Sequence, residues 1–331
     1  MKARILVVGS SNTDMIIKME RIPKPGETII GGEFASAAGG KGANQAVGAA
    51  RAGGAVTLVA RVGHDMFGDK AIAGFTADGI NVDYVVRDRT SPSGVALIFV
   101  GQNGENSIAV ASGANARLTP ADVRKAKGAF RKASVLLLQL ETPLDTVQAA
   151  AELAAAAGVC VILNPAPAQP LPDKLLRRVY LLTPNESEAE LLTGISVDNV
   201  DSAAKAASAL LARGAHNVII TMGARGALVA GADLRQMIPS FKIKAVDTTA
   251  AGDIFNGALA LGLAEGRSLI EAARFASAAA AISVTRMGAQ TSAPTRKEID
   301  RLLAAGNGSA GVIRRKGRPE RRRVTRTLQS A

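Results

Sequence analysis

Short runs of apolar and β-branched residues alternate along the chain with stretches in which apolar residues recur every three or four positions. The first run, residues 4–8, reads as a buried strand ending in Gly9, and Ser10, Ser11, Asn12, Thr13 and Asp14 follow as a polar loop at its carboxyl end. Residues 15–36 carry β-like pieces, MIIKM and ETIIGGEF, around the turn IPKPGE, the pattern of an antiparallel flap. A helix opens within AGGKGAN and runs to about Ala52, a strand over 56–61 and a helix over 67–77 follow, and 94–101 with 107–111 make a second β pair. Two such pairs suit one small lid. From Pro120 the rhythm becomes regular: a helix to about Lys132, a strand over 135–140, a helix over 144–157, strands over 159–163 and 179–182, helices from Glu186 and Val200, and a strand over 218–221. Strands spaced by helices imply right-handed crossovers and a mainly parallel α/β sheet covered on both faces. In AVDTTAAGDIFNGA (245–258) an apolar run ends at Asp247 and an apolar-periodic segment opens at Asp253, which predicts a strand-to-helix junction. Helices over 254–264, 269–284 and 295–304 close the fold.

At 331 residues and 47% hydrophobic content the chain can build a full core, as one large α/β domain or two smaller ones. Its formal charge of +12 would suit nucleic acid, but eight basic residues fall between 311 and 331 against Glu320 alone, so more than half of the excess lies there. That blocky run reads as a disordered tail over 309–331, beyond a body of 1–308, able to contact polyanions without specificity and lacking any aromatic residue to stack on a base. Cys160 is the only cysteine, which suits a reducing compartment. The first apolar run is too short for a signal peptide, and the apolar stretch over 275–284 is about half of the roughly 20 residues a membrane span needs. A cytoplasmic protein with no membrane contact is expected.

Candidate chemistry gathers first around Asp253. Ala250, Ala251 and Gly252 are small enough to let backbone approach a ligand, and the N–H groups of a helix's first turn have no intrahelical partner. A carboxylate there either answers the helix dipole or serves as a base beside an anion hole for a transferred phosphoryl group. AGGKGAN fits neither standard nucleotide loop, because Ala35 and Gly42 stand where a Walker loop needs Gly and Ser or Thr, and Gln45 where a dinucleotide fingerprint needs Gly. What remains is a slender loop with Lys41 as donor and Asn44 as amide. With Asn12 and Asp14 it suits vicinal hydroxyls, unless its glycines only let a helix and strand pack closely. Glu141 follows one strand, Asn185, Glu186 and Glu188 another, and Gly223 and Gly226 a third; a helix dipole would attract Glu186 and Glu188 as well. His64 and His216 lie in unrelated contexts, so neither is assigned to catalysis and no metal site of nitrogen and sulfur ligands is expected.

GGKGANQA (39–46) and DTTAAGDIFNG (247–257) make the chain resemble the ribokinase family of carbohydrate kinases over roughly residues 4–303. The resemblance implies a three-layer α/β/α sandwich with a mainly parallel central sheet and a small β-sheet lid, from about 15–36 and 94–112, that often pairs with its twin in a homodimer. It implies transfer of the γ-phosphoryl of MgATP to the 5-hydroxyl of D-ribose. Deoxyribose, fructose or a nucleoside remain open as acceptors, and a sugar-binding regulator that has kept the fold is the reading from another class. By position, Asn12, Asp14, Gly40, Lys41, Gly42, Ala43, Asn44 and Glu141 would hold the sugar, Asp253 would take the hydroxyl proton, and Ala250, Ala251 and Gly252 would form the anion hole. Asn185, Glu188, Thr221, Gly223, Ala224, Arg225, Gly226 and Ser277, with Gly252, would lie at the nucleotide. Asp247, Thr249, Ser283, Arg286, Gly288 and Ser292 would offer oxygens, mostly carbonyls, to an activating potassium ion, unless Asp247 only caps its own turn. Two positions depart from the family's habit: Ile254 where Thr often follows the catalytic Asp, and Ser277 where His is frequent near the adenine. Both bear on nucleotide affinity rather than on the reaction.

Overall fold

Leu6 and Val8 face one apolar layer and Ile5 and Val7 the opposite one, so the first strand of the chain is buried on both sides. In the computed structural model, which describes residues 2–103 and 105–307, thirteen strands form two sheets. In chain order they are β1 (Arg4–Val8), β2 (Asn12–Met19), β3 (Glu33–Gly39), β4 (Ala55–Gly63), β5 (Asn81–Asp88), β6 (Gly94–Gly101), β7 (Asn106–Ala111), β8 (Val135–Leu138), β9 (Cys160–Leu163), β10 (Leu181–Leu182), β11 (Asn217–Thr221), β12 (Ala227–Ala230) and β13 (Arg235–Ile238). The larger sheet runs β13-β12-β11-β10-β9-β8-β1-β4-β5, parallel from β5 through β11 and antiparallel over its last two strands.

Alternation recurs in its neighbours: Leu136, Leu138, Val161 and Leu163 join one layer, and Val135, Leu137 and Ile162 the other. Parallel strands so covered read as continuous apolar runs, which is why their positions are legible in sequence. Helices Lys41–Arg51, Ala251–Ala264 and Leu269–Ser283 supply one outer layer, and helices Leu144–Ala156 and Val200–Ala212 the other, giving the expected α/β/α sandwich. From β1 the chain reaches β4 on one side through helix Lys41–Arg51, whereas β8, on the other side, feeds helix Leu144–Ala156 in the opposite layer. The direction of winding reverses between β1 and β8, and the crevice opens at their carboxyl ends.

The smaller sheet, ordered β3-β2-β6-β7, contributes Asn12 and Val110 to a cavity lined also by Leu140 and Glu141, just past the carboxyl end of β8. Its two hairpins are antiparallel, but β2 and β6 join in parallel. Asn12, Thr13 and Asp14 therefore belong to a strand and not to the polar loop expected from sequence, and Asn12 pairs across to Gly39 and Gly94. The β-like piece around Ile30 forms no strand.

Two further expectations are corrected, and two features were missed. Residues 241–247 form no strand before the Asp253 helix, because the N–H groups of Val246 and Asp247 donate to the Val284 carbonyl at 2.7 and 3.1 Å instead of to a sheet neighbour. That helix begins at Ala251, two residues earlier than the apolar period suggests. Strand β5 and the β12–β13 hairpin were not anticipated: β5 carries polar Asn81 and Asp83 on a half-exposed edge, which hides its period. The expected tail over 309–331 lies outside the described residues.

Candidate active site

Glycines carve the space that the polar side chains fill. A Cβ on Gly39 would lie 2.3 Å from both carboxylate oxygens of Asp14, and one on Gly94 would lie 2.2 Å from Asn12 Oδ1. Gly40 has a φ of 89°, and a Cβ there would stand 2.6 Å from the Asn12 nitrogen, so only glycine lets the chain turn from β3 into helix Lys41–Arg51 against β2. At Gly42 the Cβ would meet Ser10 N at 2.5 Å. Ser10 Oγ donates to Glu141 Oε2 at 2.5 Å, and the Lys41 N–H donates to the same oxygen at 2.9 Å. Asn115 Nδ2 donates to Asn12 Oδ1 at 2.7 Å, and its own Oδ1 accepts from Ser11 N at 2.9 Å. Beside this cluster opens a cavity of about 350 Å³ whose walls include Asn12, Asn115, Glu141 and Thr142. Asp14, Lys41 and Asp253 are not among its walls.

Asp253 stands in the first turn of its helix and is buried, 6% exposed. Asn44 Nδ2 donates to its Oδ2 at 3.0 Å and Gln45 Nε2 to its Oδ1 at 2.9 Å. Burial pushes this carboxyl above the usual aspartate value, while the Lys41 ammonium and the two amides pull the other way. Asp14 rises to about 6 through burial and the nearby charges of Glu141 and Asp253. Burial would lower the Lys41 ammonium, but Asp253, Glu141 and Glu188 together hold it above its ordinary value. Four carboxylates and one cation thus share the site, and a buried carboxylate of raised basicity can accept a proton from a hydroxyl. Ala250, at φ 57°, is the one non-glycine residue with positive φ among the described residues, and it sets the helix start. The N–H groups of Ala250 and Gly252 meet no backbone acceptor among the described residues, whereas that of Ala251 reaches the Thr248 carbonyl at 3.2 Å.

The residues expected at the nucleotide lie at the next strand ends. Asn185 bridges to Thr221 in parallel and forms a capping box with Glu188, whose N–H donates to Asn185 Oδ1 at 2.8 Å. Glu188 is 9% exposed, and burial raises its carboxyl against the opposing pull of the Asn185 N–H and Lys41. Gly223, Ala224 and Arg225 form a short 3-10 turn after β11, and Arg225 turns its guanidinium to Glu186 and the Asp198 carbonyl. A Cβ on Gly226 would strike the Ile238 carbonyl at 2.1 Å, so this glycine serves the β12–β13 hairpin. Ser277 is half-buried on helix Leu269–Ser283. Ile254 is buried against Gly48.

Two loops meet near the start of helix Ala251–Ala264. Asp247 Oδ1 accepts from Thr249 N at 2.9 Å, the cap of its own turn, and Oδ2 accepts from Gly288 N at 2.8 Å, which ties this loop to 283–292. The Ser283 carbonyl accepts from Arg286 N at 3.0 Å, Arg286 pairs with Glu298, and Ser292 is fully buried with its hydroxyl on the Ala289 carbonyl.

Sequence reading did not single out Ser10, Gln45, Asn115, Gln139, Asn164, Thr183 or Asn256 as site residues, although each is buried. The available signal was an amide inside an apolar run: Gln139 in VLLLQL, Asn164 after VIL and Asn256 in DIFNGA.

The model of the pfkB family of carbohydrate kinases matches residues 2–296. The chain is 46% identical over 298 residues to a ribokinase of Haemophilus influenzae, covering 90% of this chain and 97% of that protein. It is 40% identical over 301 residues to a deoxyribokinase of Salmonella typhi, covering 91% and 98%. The structure of Arabidopsis thaliana ribokinase complexed with ribose and ATP superimposes with a TM-score of 0.85 at 34% identity, covering 92% of this chain and 99% of that one.

Proposed function

The chain belongs to the pfkB family of carbohydrate kinases, and we propose that this ATP-dependent kinase transfers the γ-phosphoryl of MgATP to the 5-hydroxyl of D-ribose, giving D-ribose 5-phosphate and ADP. The observation that carries the reading is Asp253 itself: a buried carboxylate of raised basicity, held by two amides, in the first turn of a helix whose N–H groups are largely free. Asn12, Asp14, Lys41, Asn44 and Glu141 offer donors and acceptors to the sugar hydroxyls. Asp253 takes the 5-hydroxyl proton as that oxygen bonds to the γ-phosphorus and the bond to the β–γ bridging oxygen breaks, leaving ADP. The N–H groups of Ala250, Ala251 and Gly252 face the charge that develops on the transferred group, Ala251 after yielding its Thr248 contact.

Magnesium would arrive on the nucleotide's phosphates and neutralise their charge. Potassium suits the paired loops: Asp247 and the carbonyls of Thr249, Ser283, Arg286 and Gly288, with Ser292, are hard oxygen donors, and the Asp247 cap leaves carboxylate lone pairs unused. Pairing into a homodimer is supported by the small sheet, where register aligns Met15 with Leu97 and Ile17 with Phe99 and Phe34 on the face opposite Asp14; Leu97 and Phe34 are 45% and 66% exposed. A cytoplasmic setting fits the lone Cys160, whose thiol burial pushes up to about 12, and no described helix is long and apolar enough to cross a membrane. Contact of segment 309–331 with polyanions is proposed from its charge alone.

The deoxyribokinase likeness keeps 2-deoxyribose as the competing acceptor. Turnover of ATP over a panel of pentoses and hexoses decides between them: ribose should give the highest kcat/KM, and Asp253→Asn should lower kcat by about 10²–10⁴ with sugar binding retained. A preference for deoxyribose or fructose would overturn the substrate, and full activity in Asp253→Asn would overturn the base.

A further inference from the structure

Beneath Asp253 runs a line of side chains outside the cavity wall: Gln139, Gln45, Asn164, Thr183 and Asn256, each 7% exposed or less. Gln139 Nε2 donates to Gln45 Oε1 at 2.5 Å, and Gln45 Nε2 donates both to Asp253 Oδ1 at 2.9 Å and to Asn164 Oδ1 at 3.0 Å. Asn164 Nδ2 donates to the Thr183 carbonyl at 3.1 Å, and Thr183 Oγ1 donates to Asn256 Oδ1 at 2.7 Å. Asn256 Nδ2 then donates to the Gly252 carbonyl at 2.8 Å. The line starts at the carboxylate and returns to the peptide joining Gly252 to Asp253, so it closes on itself through the helix N-terminus.

The direction of each amide is forced. A carboxylate only accepts, so Gln45 turns its NH₂ to Asp253 and its carbonyl to Gln139, which must donate. The Gln139 carbonyl oxygen is left against Gly9, buried and without a partner among the described residues. An orphaned acceptor in this layer is unfavourable, and apolar side chains would fill the space without that cost. An aspartate carboxyl also turns easily about its terminal torsion, and one amide on each oxygen stops it.

We propose that Gln45, braced by Gln139 and Asn164, and Asn256, held by Thr183, are positioning residues that keep the Asp253 carboxylate and the Gly252–Asp253 peptide in one register. Base and anion-hole N–H groups then address the same reacting centre. The inference rests on the kinase reading above.

Two readouts test it. In steady-state kinetics with the best sugar of the panel, Gln45→Met, similar in length but without a donor, should lower kcat by about 10²-fold, the effect of a misplaced reacting group, with sugar KM little changed. Because a hydrogen bond to the charged carboxylate is lost, the acid limb of the kcat–pH profile should move to higher pH. Asn256→Leu should lower kcat without moving that limb, and the double variant should lose less than the product of the single losses. Gln139→Met, a milder change, should move the limb in the same direction by less. The second readout needs no substrate: carbon-13 NMR of labelled aspartate should show the Asp253 titration midpoint rising in Gln45→Met. Wild-type kcat with only a lower Tm, or an unmoved midpoint, would make these amides structural filler. Absence of sugar turnover by the wild type would sink the kinase reading, while the NMR titration still judges the positioning.

Discussion

Replacing Asp14 by Asn should make the enzyme more stable at neutral pH and worse at holding its sugar. Burial, with Glu141 and Asp253 close by, carries the Asp14 carboxyl from 3.8 to about 6. Once ionised, a carboxyl displaced that far sets about 3 kcal/mol against the folded state. The folded protein holds this proton more tightly than the unfolded chain. The penalty is therefore absent below the unfolded value, grows as pH rises between the two, and is complete above the folded one. Asn keeps the shape and removes the charge. With an unfolding entropy of about 2.1 cal/mol/K per residue, a chain of this length gains at most about 4–5 °C in Tm. Scanning calorimetry of the sugar-free protein should show that gain at pH 7.5 and none at pH 3.5, while sugar KM at pH 7.5 rises. An equal Tm shift at both pH values, or a loss at pH 7.5, would refute the assignment of strain to this carboxylate.

Gly39→Ala places a methyl 2.3 Å from both Asp14 oxygens, so the carboxylate must turn away. Sugar KM should rise by about tenfold or more, the worth of one hydrogen bond to a charged group, and an unchanged KM would mean that Asp14 does not contact the sugar. Initial rates in potassium, caesium, sodium and ion-free Tris at constant ionic strength should show activation by the larger ions that disappears in Asp247→Ala. Equal rates in all four would exclude a specific cation site acting on the anion hole.

The alternation of helix and strand, the two-sided burial of the parallel strands and the motifs around Lys41 and Asp253 were set by local sequence, because each rests on periodicity or on residues within a few positions of one another. Glycine at 39, 40 and 42 beside Lys41 marks, in sequence alone, a slender loop of little side-chain bulk. Strand β5, the edge hairpin and the strand identity of Asn12 and Asp14 escaped, since half-exposed edges and polar strand residues leave no clean period. Only the tertiary structure decided which amides hold Asp253. Asn44 and Gln45 lie 209 and 208 positions from it, and Asn164 lies 119 positions from Gln45. In sequence Asn44 reads as a candidate sugar contact, and nothing local marks Asn44, Gln45 or Asn164 as partners around Asp253. Helix Lys41–Arg51 brings two of them onto Asp253 because it packs against helix Ala251–Ala264 at Gly48 and Gly257, where a Cβ on Gly257 would come within 2.5 Å of the Gln45 carbonyl. The missing side chain lets the backbones approach until amide and carboxylate touch, a consequence of close packing that no periodicity encodes.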